Sequence, residues 1–183
     1  MALSSGRYYS EVAAGRVFIG STAAAGVAAP ITTGTAVTFG LWNNNTGKLA
    51  VPLWLNIGYT SGTIALGTWA IANQYVGFAT ATAAPLSAFT DGTPKNALVG
   101  NGSASGMRFT PSAATLSAGG TALAFLSSGK ASATAALGEI NGFNWQFDGS
   151  IIVPPGQLIF VAASVAQTGI YSMSMAWAEI PST

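Results

Sequence analysis

Histidine and cysteine are both absent from this 183-residue chain. Without an imidazole there is no His general base, no Ser-His-Asp triad and no His-ligated metal. Without a thiol there is no disulfide framework, no cysteine nucleophile and no thiolate zinc site. Charge is scarce as well, with six basic and five acidic residues making up 6% of the chain, where soluble domains carry about 25%. The net charge of +1 is scattered along the sequence, so no electrostatic footprint for nucleic acid or an anionic membrane exists.

Long uninterrupted apolar runs are also missing. Leu49 to Thr90 contains no charged residue, but Pro52, Asn56, Gly58, Gly62, Gly67, Asn73, Gln74, Gly77 and Pro85 interrupt it. No window reaches the roughly 20 apolar residues a transmembrane helix needs. The opening MALSSGRYYSEVAAGR has no basic region followed by an apolar stretch, so no secretory signal is expected, and synthesis in a cytoplasm is.

The five carboxylates are Glu11, Asp91, Glu139, Asp148 and Glu179. Glycosidic chemistry needs two of them across one bond, and the one sequence-close pair, Glu139 with Asp148, matches no catalytic spacing. Asp148 precedes Gly149, a pairing that belongs to turns. The glycine clusters NGSASG and AGG do not open a helix or carry Lys as phosphate loops do. Calcium loops need carboxylates gathered within about a dozen residues. The reading is a non-enzymatic protein with no catalytic residue, metal site or cofactor.

What the chain does have is apolar content of 50% and 23 glycines, which permits one packed domain. With so few charges, a surface of Ala, Ser, Thr, Gly and Asn implies cover by other subunits, since a free monomer relies on charge for solubility. Residues 1–30 hold few large anchors and read as an extended arm, with 31–183 as the folded domain. Strand periodicity begins at Thr35, and Asn43 to Lys48 (NNNTGK) reads as a hairpin turn. The return strand sets Leu49, Val51, Leu53, Leu55 and Ile57 on one face, with Pro52 marking an edge or a bulge. Residues Thr63 to Ala72, Thr121 to Gly129 and Phe143 to Val153 supply further strands, and Ala131 to Ile140 fits strand or short helix. Ala83 to Ala118 reads as loops around at most one short strand, near Met107 to Thr110. In the last strand Tyr171, Met173, Met175 and Trp177 share one face and Ser172, Ser174, Ala176 and Ala178 the other.

About eight short strands with Gly, Pro and Asn turns and no long amphipathic helix predict an all-β fold. The architecture expected is a single jelly-roll-like antiparallel β-sandwich with an N-terminal arm. Trp42, Trp54 and Trp69 could line a sugar platform, although a strand tryptophan belongs more often to a core or a subunit interface.

The C-terminal quarter reads FNWQFDGSIIVPPGQLIFVAAS and then SMSMAWAEIP. A strand ends in the Pro154-Pro155-Gly156 corner, an apolar strand follows over Leu158 to Ala163, and after Gly169 a last strand closes on Trp177-Ala178-Glu179-Ile180-Pro181. This pattern resembles the C-terminal end of small jelly-roll structural proteins of tailed bacteriophages, namely capsid decoration (cement) proteins and related head-fibre or tail components. The resemblance implies a virion protein at the capsid surface that reinforces the shell, with the major capsid protein or other virion proteins as partners. It also implies a homo-oligomer, a trimer first, and no nucleic acid or membrane partner. Tyr8, Tyr9, Val17 and Phe18 are then the expected arm contacts, and deleting residues 1–25 is expected to spare the fold and abolish incorporation. The alternatives are a receptor- or glycan-binding module of a phage fibre or tail, reading its ligand through the 83–118 loops, or a shell-forming jelly-roll capsid protein.

Overall fold

A computed structural model describes residues 7–63, 67–78, 86–128, 143–165 and 167–182. The segment Ala131 to Ile140, and with it Glu139, lies outside the described residues. Among the described residues one short helix, α1 (Tyr9–Ala13), precedes thirteen strands. These are β1 (Val17–Ser21), β2 (Ala36–Val37), β3 (Gly40–Trp42), β4 (Lys48–Ser61), β5 (Thr68–Tyr75), β6 (Leu86–Phe89) and β7 (Lys95–Asn96). They continue as β8 (Arg108–Thr110), β9 (Ala114–Leu116), β10 (Thr121–Ser128), β11 (Phe143–Gln146), β12 (Gln157–Ala163) and β13 (Ile170–Pro181).

The strands form a five-stranded sheet ordered β11-β4-β13-β1-β7, a second ordered β10-β5-β12-β3-β8, and a small third sheet, β2-β9-β6. Removing the two-residue β7 and three-residue β8 from their edges leaves two four-stranded sheets. Their strands alternate between sheets along the chain except where β5 passes to β10, and the first and last of the eight, β1 and β13, are neighbours. Every pairing is antiparallel. That connectivity is the eight-stranded, double Greek-key jelly roll.

The core between the two large sheets follows from strand periodicity. Tyr171, Met173, Met175 and Trp177 all point into it, as the alternation predicts, and meet Leu55, Ile57, Trp69, Ile71, Ile159 and Val161. Trp177 is fully buried between the stacked rings of Phe18 and Phe109, at centroid distances of 6.4 and 5.8 Å. A second core, with Trp42, Leu158 and Phe160 on one side and Leu86, Ala114 and Leu116 on the other, joins the outer face of the second sheet to the small third sheet. Arg108 fastens that layer: its guanidinium lies 4.7 Å from the ring centres of both Trp42 and Phe89, and it is paired with Asp91.

Several sequence expectations are corrected. Val17 and Phe18 do not belong to an arm, because β1 is hydrogen-bonded between β13 and β7. The NNNTGK stretch is no hairpin, since β3 and β4 lie in different sheets. It bridges the layers through Asn43, which is fully buried and donates to the carbonyls of Lys48 (2.8 Å) and Val153 (2.9 Å). Pro52 does sit at a bulge, where the pairing passes from Ala176↔Trp54 to Trp177↔Pro52. The extra residue reverses the facing of β4, so Leu55 and Ile57 enter the main core while Leu53 and Val51 pack on the opposite face. The 83–118 region holds four short strands rather than one. Ile151 to Val153 joins no ladder beyond a single bridge from Val153 to Ala50.

Candidate functional site

Two of the polar constructions in the described residues lie where separate parts of the chain meet and leave polar groups at the surface. The first holds down the N-terminal segment. Phe147 to Ser150 form a tight turn, closed by Ser150 N–H donating to the Phe147 carbonyl at 2.8 Å. Asp148 and Gly149 have φ values of 51° and 81°, the left-handed pair that Asp-Gly supplies in a type I′ turn. The turn presents the Asp148 carboxylate to the N-terminal segment, where Tyr8 Oη donates to Oδ1 and Arg7 Nη1 to Oδ2. Tyr8 and Val12 then cover an apolar patch of Val17, Leu53, Ala176 and Ala178 on the outer face of the first sheet.

The hydrogen bond from Tyr8, with Arg7 adding to it against some desolvation, holds the Asp148 carboxyl below the usual carboxylate range. Burial, and then the bond to Asp148, pushes the Tyr8 hydroxyl above the usual phenol value. Within the segment, Arg16 forms a two-pronged pair with Glu11 at 2.7 and 3.0 Å and draws the Glu11 carboxyl down.

Of the four residues expected to form arm contacts, the structure leaves one in the open. Val17 and Phe18 are each 3% exposed inside this chain's own cores, and Tyr8 is engaged with Asp148. Tyr9 is half-exposed, on a helix that buries no residue. The tryptophans build no platform, because Trp42 and Trp69 are buried in the cores and Trp54 packs on the patch beneath Tyr8.

The second construction is a cleft in the 83–118 insert. It has a volume of about 390 Å³ and lies between residues 92–96 and 101–107. Thr93, Lys95, Asn96, Asn101, Ser103 and Ser105 line it. One wall is anchored by Asn96, whose Nδ2 donates to the Gly15 carbonyl (2.7 Å) and whose Oδ1 accepts from Leu98 N–H (2.9 Å). The other wall is anchored by Glu179, a buried carboxylate on β13 that accepts from Ser105 Oγ (2.5 Å), from Gly106 N–H (3.0 Å) and from Lys48 Nζ (2.9 Å). Asn101 Oδ1 takes the amide and the hydroxyl of Ser103 at 2.9 and 2.7 Å, which sets the loop between them.

The position of the cleft agrees with the loop region singled out in the sequence. Glu179 had no sequence signal, because its partners lie at positions 48 and 105–106. Among the described residues no three potential metal-ligating side chains come together, and no helix is long and apolar enough to cross a membrane. Comparison with protein-family models, with curated proteins and with solved structures finds no match.

Proposed function

We propose that this chain is a non-enzymatic structural subunit that works by associating with copies of itself and with a larger lattice, as a decoration protein reinforcing a bacteriophage capsid. One observation carries the associative part. Eight of the nine charged side chains among the described residues neutralise one another within the chain, while large apolar side chains stand in the open. Val99 is 95% exposed, Phe125 60%, Tyr75 55%, Ile152 54% and Tyr9 51%. Such a surface has little charge to oppose contact and apolar area to bury, at roughly 25 cal/mol per Å² before association costs.

The viral part rests on the jelly-roll connectivity together with the resemblance of the C-terminal strand, corner and strand to phage structural proteins. The partner in this reading is the major capsid protein or another virion component, and the site of action is the capsid surface. The test is quantitative mass spectrometry and cryo-electron microscopy of particles from the virus that encodes the chain. Copies in a fixed ratio to the capsid lattice support the reading. Its absence from the particles refutes the viral part, and a few copies confined to a tail would place it in a fibre.

A further inference from the structure

The cleft in the insert has features that association does not require. Its two walls come from separate loops, and each is tied to a distant element, one to Gly15 and the other to Glu179. Such anchoring holds Asn96 and the 105–106 loop in place before any ligand arrives, which lowers the ordering cost of binding. The volume of about 390 Å³ falls at the small end of the range of about 300–1,000 Å³ typical of ligand clefts.

Charge distinguishes it further. Lys95 is the one charged side chain among the described residues without an ionic partner, and it lines this cleft. The rest of the polar lining consists of amides and hydroxyls, with no carboxylate and no aromatic ring. A bare inorganic anion accepts hydrogen bonds but donates none, so the hydroxyl oxygens of Thr93 and Ser103 would gain no donor from it. An apolar ligand would desolvate all of them without replacing their hydrogen bonds. An acidic peptide would bring several charges to a single cation. A small polyhydroxylated molecule bearing one carboxylate meets the Lys95 ammonium, the Nδ2 donors of Asn96 and Asn101, and the hydroxyls of Thr93 and Ser103 together.

We propose that this cleft binds a carboxylated saccharide, with Lys95 facing the carboxylate and Asn96, Asn101, Thr93 and Ser103 meeting the sugar hydroxyls. The site is independent of the assembly reading and stands or falls by itself.

The experiment is an amide-resolved NMR titration of the full chain with glucuronate and with N-acetylneuraminate, using glucose, acetate and a tetra-aspartate peptide as controls. The Lys95→Gln variant is titrated in parallel. Saturable shifts of the amides of residues 92–96 and 101–107 with at least one acidic sugar are expected, with glucose and acetate weaker by about tenfold or more, as is usual when a charge-assisted hydrogen bond or the neutral contacts are lost. Lys95→Gln is expected to lose about tenfold in affinity while its spectrum elsewhere stays unchanged, which separates lost binding from lost fold. Silence toward both acidic sugars would overturn the proposal. So would acetate as strong as the sugars, a stronger response to the peptide, or a variant that binds like the parent chain.

Discussion

Asp148 does two jobs with one side chain: its backbone makes the left-handed turn and its carboxylate ties down Tyr8 and Arg7. Because folding lowers the Asp148 pKa, its contribution is present above the ordinary carboxylate value and is lost as the pH falls through the lowered one. Because folding raises the Tyr8 pKa, the neutral hydroxyl's contribution is lost only as the pH climbs through that raised value. The latch therefore holds across the whole neutral range. Hydrogen exchange at the hydrogen-bonded amides of Val12, Ala14, Gly15 and Arg16 is expected to stay slow from pH 5 to pH 8 after correction for intrinsic rates, and Asp148→Asn is expected to accelerate it throughout. Glu179 is the more consequential carboxylate, since truncation strands Lys48, the Ser105 hydroxyl and the Gly106 amide around a buried void. Glu179→Ala should cost about 3 kcal/mol and lower the Tm by roughly 6–12 °C, measured by calorimetry. The inward facing of Tyr171 to Trp177 was legible in the sequence because alternation needs only neighbours. The partners of Asp148 and Glu179 were not, because they are far away along the chain.

At the scale of elements, long strands were readable and short ones were not. The 12-residue β13 and 14-residue β4 display their period, whereas β2 and β7 have two residues each and show none. The reversal of β4 at Pro52 comes from one bulged residue, which the pattern of Leu and Val alone does not reveal. The N-terminal stretch misled for a different reason. Its composition is that of a tail, yet β1 pairs along its whole length with β13 and contributes Phe18 to the ring stack on Trp177. Deleting residues 1–25 is accordingly expected to unfold the domain rather than spare it. The loss of Val17 and Phe18 alone removes about 1.5–3 kcal/mol each from a net stability of about 5–15 kcal/mol. Deleting residues 1–14 removes α1, which buries no residue, and should leave a cooperative unfolding transition at a lower temperature. Circular dichroism melts of the two truncations distinguish these outcomes.

For the whole molecule, composition and turn spacing pointed to the all-β sandwich, and the connectivity of eight strands makes it a jelly roll. The third sheet was hidden because its three strands come from the segment preceding β3 and from an insert that reads as loop. The absence of histidine and cysteine narrows the chemistry, and the internal pairing of charges adds what composition could not: among the described residues every charged side chain except Lys95 is paired within the chain. Large apolar and neutral-polar side chains stand outside beside these pairs. One row of Asn144, Asn56, Ser174 and Ser21 crosses four adjacent strands of the first sheet. In the proposed assembly this surface is covered by other subunits. Sedimentation velocity of the purified chain at micromolar concentration, in low and high salt, tests it most directly. A single closed oligomer of two or more 18.3 kDa chains is expected, persisting in high salt because apolar contact holds it together. An 18.3 kDa monomer at every concentration and salt would contradict it.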